Sequence, residues 1–90
     1  MDRQQLRQTL ERLDARLASA EAADPATRAS LDRMRGEVQR ALARPDEAPA
    51  EEHQPLGEQL RDAIPRFESS HPMLTMAMAE VVDILNRLGI

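Results

Sequence analysis

The sequence predicts an all-α fold: a helical hairpin plus a kinked C-terminal helix pair, assembling as a homo-oligomeric helical bundle or coiled coil. Three observations carry this. Apolar residues recur at helical spacing along most of the chain, as in Leu6, Leu10, Leu13 and Leu17. Strand-forming residues are sparse, and nothing alternates with period two. Pro25, Pro55 and Pro72 stand where helical stripes begin, the position at which proline suits a helix.

The first stripe, continued by Ala20, makes one apolar face on a helix of about five turns. Asp24-Pro25 ends it, because proline disfavours a helical residue before it and clashes with the preceding turn. The same pair starts a second helix, with Asp24 as N-cap. That helix carries Leu31, Met34, Val38, Ala41 and Leu42, and Gly36 weakens it by up to about 1 kcal/mol relative to alanine. Residues 1–43 are therefore expected to form an amphipathic hairpin with a core of Leu6, Leu10, Leu13, Leu17, Leu31, Met34 and Val38.

Charges flanking these stripes bear on how the helices pair. With Leu10 and Leu17 at heptad position a, the e positions are Arg7, Asp14 and Glu21, then Arg28, Arg35 and Leu42. A chain that folds back at residues 24–25 sets Glu21 against Arg28 and Asp14 against Arg35, both opposite in sign. A parallel homodimer of the first helix instead sets Asp2 against Arg7 and Arg16 against Glu21, which also match. The proline turn favours the hairpin, since it gives the backbone a reason to reverse.

Residues 44–54 hold two prolines, four acids and no large apolar residue, which predicts a solvated acidic linker. Residues 55–90 form the C-terminal helices. The third helix starts near Pro55 with Leu56, Leu60, Ile64 and Phe67 on one face, and Pro65 should kink or split it. Ser69-Ser70-His71-Pro72 stops it and starts the last helix, over about residues 72–88. From Met73 to Ile90, twelve of eighteen residues are apolar, and the polar strip is narrow: Glu80, Asp83 and Arg87. Gly89 suits the C-terminal cap. A helix this apolar must be covered on most faces, and one hairpin of the same chain is expected to fall short. Only 23 of 90 residues are large and apolar, with no Trp or Tyr, so self-association is the simplest way to complete the core. Leu74, Met78, Val81, Leu85 and Leu88 are the expected oligomer interface.

Several segments together carry a resemblance: the opening Asp2-Arg3-Gln4-Gln5-Leu6-Arg7, the middle Asp24-Pro25, and the closing Arg66-Phe67-Glu68-Ser69-Ser70-His71-Pro72 with Asp83-Ile84-Leu85 and Leu88-Gly89-Ile90. Over nearly its whole length the chain resembles a small bacterial family catalogued as domain of unknown function 4404. The resemblance implies a short, soluble, all-helical bacterial protein. The family has no established activity, so it transfers no catalytic residue.

Composition narrows the function. Without cysteine there is no disulfide framework, thiolate zinc site or cysteine nucleophile. Charges throughout residues 1–20 argue against a secretory signal, and no run of apolar residues is long enough to span a membrane, so a cytoplasmic protein is expected. All twelve basic residues are Arg and fourteen residues are Ala, a bias that suits a GC-rich bacterial genome. His53 follows two glutamates without a second histidine at ligand spacing and reads as a solvated linker residue. His71 reads as part of a helix-start turn. No GxSxG elbow or glycine-rich phosphate loop occurs. Glu80 and Asp83, beside Arg87, read as a salt-bridged strip rather than an acid–base pair. Met73, Met76 and Met78 read as core or subunit interface.

The expected protein is thus a non-enzymatic homo-oligomeric module that needs no cofactor and no metal. Its expected partner is itself, with room for an unidentified protein and no membrane role. One alternative is a small adaptor that binds a partner helix through the Met-rich last helix. Another is a weak nucleic-acid binder using Arg3, Arg7, Arg12, Arg16, Arg28, Arg33, Arg35 and Arg40. It is disfavoured, because these arginines are interleaved with acids and the net charge is −4.

Overall fold

The chain folds as α1 (Asp2–Ser19), α2 (Pro25–Ala43), a short 3-10 turn (Ala50–His53), α3 (Gln54–Phe67) and α4 (Pro72–Arg87). The computed structural model describes residues 2–45 and 47–89. Met1, Asp46, Ile90 and the side chain of Asp2 lie outside the described residues, and with them the expected Asp2–Arg7 pairing and the last apolar position.

Local chemistry sets the helix ends. Asp24 adopts an extended backbone, and its Oδ1 accepts a hydrogen bond from the Thr27 N–H at 2.7 Å, with Pro25 in the first turn. At the end of α4, Gly89 takes φ 92°, the left-handed conformation that lets the chain leave a helix without a Cβ clash.

The contacts define an up-down-up-down arrangement. Arg7 reaches the Leu42 carbonyl, Asp14 meets Arg35, and Arg28 reaches the Ala20 carbonyl, so α2 runs antiparallel to α1. Arg12 meets Glu80 and His71 meets the Glu21 carbonyl, so α4 is antiparallel to α1 as well. Helix α3 packs on α4 and, more lightly, on α2, which closes the bundle. One core runs through it: Leu6, Leu10, Leu13 and Leu17 of α1 lie with Leu31, Met34 and Val38 of α2, Leu56, Leu60 and Phe67 of α3, and Leu74, Met78, Val81 and Leu85 of α4.

Helix α4 is largely covered by its own chain, with α3 adding to the one helix of the hairpin that reaches it, and Met73 and Met76 are left exposed. Helices α1 and α3 flank it and take up its apolar faces together. Gly57 explains part of the close approach: a Cβ there would stand only 3.3 Å from Leu85 Cδ1. Four of the five expected interface residues, Leu74, Met78, Val81 and Leu85, are buried within the chain, and Leu88 is half-buried.

Two further expectations are corrected, and one of the two outcomes expected at Pro65 is excluded. Pro65 does not split α3, which runs through it to Phe67. It lies in the last turn, where the break in the hydrogen-bond ladder comes just before the helix stops. The linker is not fully solvated, because Ala48 and His53 are buried and a 3-10 turn forms. Glu21 does not pair with Arg28. Helix α1 ends at Ser19, so Glu21 leaves the heptad phase, and Arg28 bonds to Asp32 and to the Leu17 and Ala20 carbonyls.

Asp14 and Arg35 do meet, at 3.0 Å and partly exposed. A double-mutant cycle at low salt should give a coupling of about 0.5 kcal/mol, weakening as salt rises. Asp14→Arg should destabilise modestly, and adding Arg35→Asp should recover most of the loss. Coupling between Arg16 and Glu21 with none between Asp14 and Arg35 would contradict this helix pairing.

Candidate functional site

Three places bring polar or reactive groups together outside the core. The first is the end of the bundle where the 44–53 segment crosses from α2 to α3. Arg3 of α1 donates to the Ala48 carbonyl at 2.8 Å, and Arg7 donates to the carbonyls of Leu42 and Arg44 at 3.1 and 3.4 Å. Arg44 lies 3.3 Å from His53 Nδ1 and 3.8 Å from Glu52. A guanidinium can only donate, so Nδ1 is the acceptor and the neutral imidazole carries its proton on Nε2. His53 is 6% exposed. Burial first, then the charges of Arg44 and Arg3, hold its imidazole below the ordinary histidine value, with Glu52 acting the other way. The adjoining cleft has a floor of Leu6, Leu10 and Ala41 and a volume of roughly 20 Å³, the room of about one water molecule.

The second place is the opposite end, where the α3–α4 turn meets the α1–α2 turn. His71 Nε2 donates to the Glu21 carbonyl at 2.6 Å, and its Nδ1 lies 2.9 Å from Ser70 Oγ. The Phe67 ring meets the imidazole edge-on at 5.7 Å, with the Arg66 guanidinium over Phe67. The order hydroxyl, imidazole, carbonyl is that of an activated nucleophile. Here Ser70 is exposed beside its own neighbour in the chain, and the bonds serve to tie two turns together.

The third is the N-terminal half of α4. Met73 and Met76 are 56% and 58% exposed, and they are the exposed large apolar side chains among the described residues. A shallow groove lined by Ile64, Thr75, Met76 and Ala79 lies on the α3 side, and a second, between Ala20 and Met73, lies on the α1 side. The methionine stripe therefore divides: Met78 is core, while Met73 and Met76 face outward.

The other residues singled out from the sequence are dispersed. Glu80 bonds to Arg12 of α1 at 2.8 Å, not to Arg87 within its own helix. Of the eight arginines considered for nucleic acid, Arg12, Arg28, Arg35 and Arg40 each hold a carboxylate, and Arg3 and Arg7 hold carbonyls. No group of three metal-ligating side chains occurs among the described residues, and none of their helices is long and apolar enough to cross a membrane. Asp24 is held below the usual carboxylate value by the Thr27 backbone N–H it accepts, which is its capping role.

The Arg44–His53 contact has no counterpart in the sequence pattern. It joins residues nine apart across two prolines, and it is held from α1 through carbonyl oxygens, which every residue carries. The outward turn of Met73 and Met76 depends on how α1 and α3 flank α4.

No curated protein and no solved structure matches the chain. A family model matches residues 6–90, and the chain belongs to that family, catalogued as domain of unknown function 4404.

Proposed function

We propose that the protein is a non-enzymatic, homo-oligomeric helical interaction module of the bacterial cytoplasm, self-associating through the N-terminal half of α4. One observation carries the reading: Met73 and Met76 stand exposed on a chain that buries or half-buries the large apolar side chains of the rest of its described helices. They form a ridge with a shallow groove on each side, so a second copy offers both knob and hole to the same surface, as a twofold interface requires. Methionine adapts its shape to such contacts. Leu74, Met78, Val81 and Leu85 then support the surface from beneath, and Leu88 lies at the far end of the helix.

Light scattering on the whole chain at micromolar to millimolar concentration tests this. A dimer or larger species is expected, and the double variant Met73→Ser, Met76→Ser should shift it to the 10.1 kDa monomer with its helical content intact. A wild-type protein that stays a folded monomer over that range sinks self-association. The adaptor reading, in which a partner helix takes the same ridge, would then replace it.

A further inference from the structure

We propose that the 44–53 segment is an acid-released latch, in which neutral His53, by accepting a hydrogen bond from Arg44, holds the segment closed over one end of the α1–α2 hairpin. Three geometric facts lead there. His53 is buried, although it lies in a segment without a large apolar residue. Its Nδ1 faces a guanidinium at 3.3 Å, a contact that exists only while that nitrogen carries no proton. The same segment is tied to α1 by Arg3 at the Ala48 carbonyl and by Arg7 at the Arg44 carbonyl, which brings the guanidiniums of Arg3, Arg7 and Arg44 around the cleft that the imidazole lines.

The charged groups around it come from each neighbouring element. Helix α1 presents Arg3 and Arg7. Among its described residues the segment itself presents Arg44 and the exposed Glu52, while Glu47 and Glu51 are also exposed. Helix α3 begins with uncharged Gln54, whose amide lies 3.4 Å from the exposed Glu58 carboxylate. Protonating His53 converts the Arg44 contact from a hydrogen bond into the repulsion of two cations. Both ring nitrogens become donors, and the Arg44 side cannot accept.

The sign of the pH effect follows. The closed state favours the neutral ring, and its value lies below the ordinary 6.5, for the reasons of burial and neighbouring charge given above. Above pH 6.5 both closed and open states carry neutral His53, and the latch has its full stability. As pH falls below 6.5 the open state takes up the proton first, and the closed state loses stability until its own lower value is passed. Opening would uncover Leu6, Leu10 and Ala41, which form the floor of the cleft beneath the segment. An acidic compartment or a local drop in pH would thus expose an apolar mouth at the end remote from the α1–α2 turn, without melting the bundle.

Two backbone hydrogen bonds inside the segment supply the readout: Ala48 N–H to the Pro45 carbonyl and Glu52 N–H to the Pro49 carbonyl. Amide exchange, corrected for the intrinsic rate, should show several-fold lower protection at these two amides at about pH 5 than at about pH 7.5. Amides in the middle of α1 should keep their protection. In His53→Gln, whose amide oxygen still accepts from Arg44 but does not titrate, the loss at Ala48 and Glu52 should disappear. In His71→Gln it should persist. A loss of equal size in wild type and His53→Gln overturns the proposal, as does a wild type without any loss. Should His53→Gln fail to fold, titration of the imidazole by NMR in the wild type decides: a native value at or above 6.5 overturns the latch, and a lower one supports it.

Discussion

Leu85→Asp is expected to abolish folding at ambient temperature. Leu85 is wholly buried between α3 and α4, with its Cδ1 against Gly57, so a carboxylate there finds neither water nor room. An unpaired charge in such a place costs several kcal/mol even after the group protonates to escape it. The apolar contacts of the leucine are lost in addition, roughly 1.5–3 kcal/mol. A domain of this size has roughly 5–13 kcal/mol of stability in all. Circular dichroism should show most of the helical signal gone, and a thermal scan should lack a cooperative transition. Glu51→Ala, at an exposed position in the 3-10 turn, should lie within about 0.5 kcal/mol of wild type. A cooperative wild-type melt from Leu85→Asp would mean that α4 is not the inner element described above.

Leu13→Ala is expected to give the largest loss that still leaves a folded protein. Helix α1 is the shared neighbour of α2 and α4, and Leu13 lies at its middle with no exposed surface. Truncation leaves a cavity that two helices, one on each side, would have to collapse around. Such changes cost about 2–5 kcal/mol, the upper part of the range applying where the walls are held. For a chain of this length that corresponds to a Tm lower by roughly 8–40 °C, read from a reversible thermal melt with the native helical content retained at low temperature. Leu42→Ala, at a half-buried position beside the start of α1, should cost clearly less. Equal losses at the two sites would show that the core is not centred on α1.

Much of this architecture is legible in the chain because helix chemistry is local. The 4-3-4 spacing of Leu6, Leu10, Leu13 and Leu17 selects one face, and that face is buried. Asp24-Pro25 encodes both a stop and a start, and the Asp24 carboxylate caps the Thr27 N–H as that dipeptide suggests. Even the register of the hairpin is partly written in charge, since Asp14 meets Arg35. Its neighbour Glu21–Arg28 failed for a local reason that periodicity does not carry: the helix stops at Ser19, and heptad phase has no meaning beyond it.

The sequence by itself determined that the protein is helical, where its helices begin, which stripe each one buries, and the family to which it belongs. Tertiary structure alone decided how many neighbours each stripe has. An apolar helix such as α4 announces that it must be covered, but not by what, because burial is non-directional and any apolar surface satisfies it. In this chain α1 and α3 do most of the covering, so Leu74, Met78, Val81 and Leu85 go inward while Met73 and Met76 are left outside. The same holds at the far end of the bundle. Arg3 and Arg7 hold the 44–53 segment by the carbonyl oxygens of Ala48 and Arg44, and a carbonyl carries no residue identity. No reading of side chains could have placed His53 beneath that strap. Only the folded backbone brings Ala48, Arg44 and the start of α1 within hydrogen-bond reach, and with them the burial that makes a linker histidine sensitive to its proton.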